Sequence, residues 1–265
     1  MSLWQALLLG IIQGLTEFIP VSSTAHLLIA QQLLNIPAGG AMFSFLVIVQ
    51  LGTIVSLFIF YWQDLLSIAR ATLDFKRATP ERDLGFYILL ATVPALLAGY
   101  LLKDAVEALF KMPMLEAGIR LFSAAILLSL AEYLGKRARS LDSMTWLDAL
   151  IVGAFQVIAV FPGASRSGTT ISGGLFCGFD RPAAARFAFL MSVPVMLAAG
   201  AYEMLDVIQM PNLAQFLPLL ATGFIAAAFV GWLSIKWLIG YLGKHSLYVF
   251  AGYCAALGLI VWLVK

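Results

Sequence analysis

The sequence predicts an all-α, polytopic membrane protein, and three observations carry that prediction. Of 265 residues, 62% are hydrophobic and 11% charged, where soluble globular chains carry about 25% charged residues. The mean hydropathy of +0.96 excludes an ordinary water-soluble domain. Apolar runs near the ~20 residues that a bilayer requires recur along the chain, consistent with a single membrane domain over residues 1–265. Two further apolar stretches are broken by clusters of polar residues. The net charge of +2, from 16 basic and 14 acidic residues without a long Lys/Arg tract, gives no footing for nucleic acid as a partner. Cys177 and Cys254 lie in apolar stretches without CxxC spacing and are expected to be packing residues rather than a disulfide or zinc site.

The chain opens on an apolar arm, residues 3–16, which lacks the basic n-region and small-residue cleavage site of a signal peptide and is read as mature protein. It runs into Thr16, Glu17, Pro20, Ser22, Ser23, Thr24 and His26. At 1.5 Å per residue the arm reaches only about 21 Å. Non-helical backbone at membrane depth persists only where protein or a water-filled cavity surrounds it, so residues 1–42 are read as a re-entrant helical hairpin. Full spans follow at roughly 43–62, 86–103 and 115–134. The stretch 147–161 then meets Pro162, Gly163, Ser165, Arg166, Ser167 and Gly168, a second hairpin over 145–180. Spans at 187–204, 215–235 and 246–264 bring the expectation to six transmembrane helices plus two re-entrant hairpins.

Lys and Arg concentrate on the cytoplasmic side of membrane proteins, which tests this count. Arg70, Lys76, Arg77, Arg82, Lys136, Arg137, Arg139, Arg181, Arg186, Lys236 and Lys244 fall in loops on one side, and Lys103, Lys111, Arg120 and Lys265 on the other. Eleven against four places both termini outside, and turning either hairpin into a full span would erase most of the asymmetry. Aromatic residues near span ends, such as Tyr61, Trp62 and Trp262, fit an interfacial belt. Asp148, Glu132 and Glu203 are expected at interfaces, and His245 in solvent.

The chain also repeats. Gly10-Ile11-Ile12-Gln13 recurs as Gly153-Ala154-Phe155-Gln156, and Phe18-Ile19-Pro20 as Phe161-Pro162 with one residue deleted. Phe43-Ser44-Phe45-Leu46 recurs as Phe187-Ala188-Phe189-Leu190. The halves, approximately 1–134 and 145–265, each hold one hairpin and three spans, and an odd span number inverts the second half. Inverted-topology repeats place a binding site where broken helices meet near the midplane.

The chemistry lies in the two breaks. Gln13 and Glu17 are four residues apart and share a helix face, and a carboxylate at membrane depth is costly and usually functional. In the second break, glycines and hydroxyls surround Arg166, which at the bilayer centre costs roughly 2.5–3.5 kcal/mol and needs an anionic partner. Backbone N–H groups, a helix N-terminus and the planar guanidinium fork suit a phosphate. A structural Glu17–Arg166 ion pair is the alternative. Ser23 with His26 reads as a nucleophile and its base, while His26 attacking phosphorus or activating water stays open. Ser22 and Thr24 read first as caps or backbone partners.

QGLTEFIPVSSTAH, Gln13 to His26, and PGASRSGTT, Pro162 to Thr170, resemble the two signature motifs of the bacterial undecaprenyl-diphosphate phosphatases, the bacitracin-resistance proteins. The resemblance covers the whole chain in length, span order and repeat. It implies hydrolysis of undecaprenyl diphosphate to undecaprenyl phosphate and inorganic phosphate, recycling the lipid carrier for cell-wall synthesis in the bacterial plasma membrane, with a site opening to the outer face. It further implies Glu17, Ser23, His26 and Arg166 as catalytic residues, Ser165, Arg166, Ser167, Thr170 and Ser22 around the phosphates, and a divalent metal, Mg2+ or Ca2+, at Glu17 and Gln13. Many members carry Glu where this chain has Gln13, which leaves one carboxylate fewer for a metal. The expected partners are the prenyl diphosphate substrate, membrane lipid and, as a further candidate, a second copy of the chain in a homodimer. The competing class is a transporter or flippase of an anionic lipid phosphate, suggested by the inverted repeat; a serine beside a histidine favours the enzyme.

Arg166→Lys keeps the charge and loses the bidentate fork. It is expected to cost far more phosphate release than membrane-inserted yield, and near-normal turnover would count against a direct phosphate contact.

Overall fold

A computed structural model describes residues 1–37, 39–74, 76–102, 113–159, 165–209 and 213–264. Among them the chain is helical throughout its regular structure, apart from one isolated parallel bridge between Arg139 and Phe179. The first arm is α1 (Leu3–Phe18), opened by a capping box in which Ser2 Oγ accepts from the Gln5 N–H at 3.2 Å and the Gln5 side chain accepts from the Ser2 N–H at 2.7 Å. It stops because Pro20 disfavours helical backbone at the preceding residue, and Ile19 is extended. Helix α2 (Ser23–Leu33) restarts the chain after Ser22, whose φ of 69° lies in the left-handed region.

Helices α3 (Gly40–Phe60), α4 (Trp62–Leu73), α5 (Pro80–Leu101) and α6 (Pro113–Leu134) follow. Thr79 caps α5 and Pro80 stands at its first turn, where a missing N–H costs nothing. The second broken segment is α7 (Trp146–Ile158) and α8 (Arg166–Phe176), and α9 (Arg181–Ile208), α10 (Leu213–Leu242) and α11 (Tyr248–Val264) complete the chain. Among the described residues five helices are long and apolar enough to cross a membrane: α3, α5, α6, α9 and α10. The sixth expected span coincides with α11, whose 17 residues reach about 25 Å. Helix α4, in a segment expected only as a basic loop, carries an apolar stripe with Ile68 buried and Trp62 exposed.

The two short first arms do not pack mainly within their own halves. Helix α1 lies along α10, and α7 along α5. Both contacts are backbone-close because of the glycines that recur in the sequence. A Cβ on Gly10 would collide with the Gly223 carbonyl, and one on Gly153 would stand 2.7 Å from the Ala91 carbonyl. Gln13 and Gln156, three residues beyond these glycines, are equally buried, each 2% exposed. Helix α3 packs on α10, α9 on α3 and α5, and α6 on α11, α2 and α8.

At the basic-loop end, two carboxylates expected at an interface are buried within the protein. Glu132 accepts from Arg181 Nε at 3.0 and 3.1 Å, pairs with Arg137, and accepts the Leu247 N–H at 3.1 Å. It thereby fastens α6 to the starts of α9 and α11. Arg139 clasps Asp148 through both guanidinium nitrogens at 2.8 and 2.9 Å and donates to the Cys177 carbonyl at 2.8 Å. These hydrogen bonds raise the Arg139 pKa above its ordinary value against the opposing effect of burial. Glu132 meets Arg181 from 49 residues away, and Asp148 meets Arg139 across the turn that precedes α7, so the fold supplies each carboxylate with a guanidinium. Glu203 lies outside the side chains described.

Glu132→Gln removes the charge that two arginines share. It is expected to destabilise the fold by about 3 kcal/mol, the scale of a broken buried pair, read as a lowered Tm of the detergent-solubilised protein.

Candidate active site

The break after α1 and the start of α8 meet. Glu17, on the last turn of α1, points one carboxylate oxygen, Oε1, at Arg166 Nη2 in an ion pair. Its other oxygen, Oε2, accepts from Gln13 Nε2 at 2.9 Å and from Ser23 Oγ at 2.7 Å. The i, i+4 spacing read in the sequence therefore becomes a hydrogen bond, and the carboxylate gathers both breaks around itself. Burying a carboxylate is costly unless it is paired and hydrogen-bonded, and Glu17 is both.

Arg166 is the first residue of α8. Ser165 caps that helix, its Oγ accepting from the Gly168 N–H at 3.2 Å, and stands 3.3 Å from Ser167 Oγ. The helix N-terminus and its dipole thus face the same space as the guanidinium. Thr170 turns elsewhere: its hydroxyl donates to the Arg166 carbonyl at 2.8 Å, so it braces the first turn and does not line the cavity described next. Pro162 and Gly163, expected in the phosphate loop, lie outside the described residues.

A cavity of about 290 Å³ opens beside the ion pair, lined by Gln13, Glu17, Ser22, Ser23, Ser165, Arg166 and Ser167 together with Thr24, Gln31, Gln50, Arg120 and apolar neighbours. Glu17, Ser23 and Arg166 thus share one hydrogen-bonded cluster on its wall. His26 is not bonded to Ser23. Its Nδ1 lies 2.8 Å from the Ser22 carbonyl, and its Nε2 lies 2.8 Å from Tyr253 Oη on α11. A carbonyl only accepts, so Nδ1 carries the proton, and in the neutral ring Nε2 accepts from the tyrosine. The rings of His26 and Tyr253 also stack, with centroids 5.6 Å apart.

Sequence reasoning missed Gln50, Arg120 and Tyr253. Arg120, which falls within the expected span 115–134 yet counts on the outward side in the charge tally, is buried inside α6 with 5% exposure, so it reports nothing about topology and the charge count becomes eleven against three. The available signal was an arginine within an apolar run, one helical turn after Glu116. Gln50 is likewise polar inside the apolar run of α3. Tyr253 carried no such signal, since its partner is 227 residues away.

The comparisons with known proteins agree along the whole chain. The family described as "Bacitracin resistance protein BacA" matches residues 6–260. The chain belongs to the BacA family. Relatives named undecaprenyl-diphosphatase include that of Mycobacterium marinum, 36% identical over all of this chain and 95% of the relative. That of Thermomicrobium roseum is 38% identical over all of this chain and 98% of its own length, and that of Chloroherpeton thalassium 40% identical over 98% and 96%.

A divalent metal was expected at Glu17 and Gln13. Among the described residues no group of three His, Cys, Asp or Glu converges, and Glu17 is the one carboxylate lining the cavity. Carboxylate and amide oxygens are nevertheless the hard donors that Mg2+ takes, typically through one or two carboxylates with substrate phosphate and water completing the shell. Glu17 Oε1, however, faces Arg166 and Oε2 accepts from Gln13 and Ser23, so an ion at these two residues would have to displace those partners. Gln13→Glu supplies a second carboxylate, and is expected to lower the Mg2+ concentration for half-maximal phosphate release several-fold; an unchanged Mg2+ titration would remove position 13 from any metal site.

Proposed function

We propose that this chain hydrolyses undecaprenyl diphosphate to undecaprenyl phosphate and inorganic phosphate, returning the lipid carrier to cell-wall synthesis and so conferring bacitracin resistance. The observation that carries the reading is the cluster on the cavity wall: Ser23 hydrogen-bonded to Glu17, and Glu17 paired with Arg166 across the two breaks. Full-length similarity to proteins named undecaprenyl-diphosphatase supplies the substrate.

In the proposed reaction Arg166 and the start of α8 bind the terminal phosphate. Ser23 Oγ forms a bond to its phosphorus, the bond from phosphorus to the bridging oxygen breaks, and prenyl phosphate leaves with the electron pair. The hydroxyl proton passes to Glu17 Oε2, its hydrogen-bond acceptor at 2.7 Å. Protonating Glu17 also weakens its hold on Arg166, so the guanidinium is released to the phosphate as charge develops there, the electrostatic stabilisation on which phosphoryl transfer mostly relies. A water oxygen then bonds to phosphorus, the bond from phosphorus to Ser23 Oγ breaks with its electron pair, Glu17 returns its proton to Oγ, and inorganic phosphate leaves with the two water protons. A divalent ion, were Glu17 and Gln13 to hold it, would supply neutralisation of phosphate charge in place of proton transfer to Glu17. A second route is favoured by the His26 tautomer: its Nε2 lone pair, held by Tyr253, would serve as the serine's base after exchanging one hydroxyl for the other.

The membrane arrangement proposed is six spans and two re-entrant hairpins, related by an inverted repeat of residues 1–134 and 145–265, in the plasma membrane. The reciprocal packing of α1 on α10 and α7 on α5, through Gly10 and Gly153, supports the repeat. The cavity residue Arg120 lies about 10 Å along α6 from the end opposite the basic loops and about 21 Å from the other, which supports a site opening to the outer face, while Gln50 stands at the middle of α3. The substrate's prenyl chain would remain in lipid while its diphosphate enters.

The test is phosphate release from a long-chain prenyl diphosphate by detergent-purified protein, with single-turnover trapping on labelled substrate. Ser23→Ala and Arg166→Ala are expected to lower turnover by about 100-fold or more, the scale of losing a nucleophile or a phosphate clamp, with label trapped on Ser23. Label on His26 would overturn the serine assignment, and absence of release from folded protein, with Arg166-dependent binding of prenyl phosphate, would favour a transporter.

A further inference from the structure

We propose that Tyr253 is a positioning residue for the reaction: through His26 it holds the turn at Ser22, and so sets the Ser23 hydroxyl against Glu17. The inference rests on the phosphatase reading with Ser23 as nucleophile and deepens it. Ser22 is the N-cap of α2, with φ 69° and ψ 89°, a left-handed conformation that a serine keeps only where its surroundings hold it. The approach to it is tight, the Val21 N–H donating to the Ile19 carbonyl at 2.7 Å. Ser22 itself makes no side-chain cap hydrogen bond to α2.

His26 supplies the restraint. Its backbone N–H donates to the Ser22 carbonyl at 3.3 Å, a long first bond for a helix, and its Nδ1–H donates to the same oxygen at 2.8 Å. That second bond needs the tautomer protonated on Nδ1. The Tyr253 hydroxyl, donating to Nε2 at 2.8 Å, stabilises that tautomer, since the bond made at one ring nitrogen sets the proton on the other. The two rings lie within 9° of parallel, so stacking fixes the plane of the imidazole as well. Cys254, the next residue of α11, adds a contact of its own, with Sγ 3.9 Å from the Pro20 carbonyl. Helix α11 thus holds the first break at Pro20 directly and at Ser22 through His26.

The cavity lies on another side of α2. Ser23, Thr24, Leu27, Leu28 and Gln31 line it, and at about 3.6 residues per turn His26 stands roughly 130° round the helix from the middle of that face. Ser23 gives its hydroxyl to Glu17 at 2.7 Å, and its backbone follows the Ser22 turn directly. A reacting group displaced by about 1 Å loses rate steeply. A slackened turn is therefore felt in kcat, whereas the phosphate contacts proposed for Arg166 and the start of α8 come from the other break. Tyr253 and His26 accordingly act on Ser23 through the backbone, and neither touches the phosphate.

The experiment is steady-state hydrolysis of a prenyl diphosphate by full-length Tyr253→Phe, His26→Asn and His26→Gln proteins and by the Tyr253→Phe, His26→Asn double variant, with the Tm of each measured alongside. Tyr253→Phe keeps the ring and loses one hydrogen bond, and is expected to lower kcat about 3- to 10-fold with KM within about twofold. The amide nitrogen of asparagine stands near the place of Nδ1 and that of glutamine near the place of Nε2. His26→Asn is therefore expected to keep at least about a tenth of kcat, and His26→Gln to fall about tenfold below it. Asparagine offers the Tyr253 hydroxyl no Nε2, so the double variant should match His26→Asn within about twofold. An unchanged kcat in Tyr253→Phe overturns the proposal. Equal inactivity of His26→Asn and His26→Gln also overturns it, marking the imidazole as a base that neither amide replaces, and so does a double variant in which the two losses multiply. If Tyr253→Phe does not fold, the contrast between His26→Asn and His26→Gln decides. Absence of hydrolysis by the unsubstituted protein would sink the phosphatase reading itself, and this proposal with it.

Discussion

The Glu17–Arg166 ion pair is the constraint on which the rest of the arrangement depends. Each charge alone would be expensive at this depth, and each sits where a helix is broken. Glu17 ends α1 and Arg166 begins α8, so pairing them closes the gap between two segments that the sequence separates by 149 residues. The pair also fixes the hydrogen bonds around it. Gln13 and Ser23 converge on the remaining carboxylate oxygen, and the hydroxyl that would attack phosphorus is thereby oriented before any substrate enters.

The packing of the long helices serves this meeting of the breaks. Short first arms cannot reach across a bilayer, and each is instead laid against a long helix of the other half, α1 on α10 and α7 on α5. Glycine at positions 10 and 153 lets backbones approach to a distance at which any side chain would collide, the device that membrane helices use where no hydrophobic driving force separates helix from lipid. At the opposite end of the molecule, Glu132 with Arg137 and Arg181, and Asp148 with Arg139, tie loops and helix starts together. The scaffold is thus pinned by ion pairs at its basic-loop end and by close helix crossings along the arms, leaving the breaks as the place where polar groups face a cavity.

The two broken segments differ in chemistry although α1 and α7 pack alike, each glycine-close on a long helix. Gln13 finds Glu17 four residues on, whereas Gln156, buried to the same degree, has both amide atoms without a hydrogen-bond partner among the described residues. Val160 stands where the offset of 143 would put the matching carboxylate. One break therefore supplies the acid and the serine, the other the arginine and the helix N-terminus. In the proposed reading the diphosphate would lie between these unlike surfaces.

Composition and apolar runs determined the all-helical membrane class, because burying so many apolar residues without charges leaves no soluble alternative. The polar clusters at 17–26 and 162–170, set inside otherwise apolar stretches, marked the breaks, and the spacing of Gln13 and Glu17 already placed both on one helix face. What the sequence could not decide was which distant groups meet. It left Glu132 and Asp148 near span ends and Arg120 on the outward side with no partner named for any of them, since a charge near a span end looks the same whether or not a partner comes to it. It set His26 beside Ser23 by proximity along the chain, while the fold turns the imidazole to Tyr253 and gives the serine to Glu17. Local periodicity is written in neighbouring residues; the pairing of buried charges is a property of helices packed side by side, and only the tertiary structure decided it.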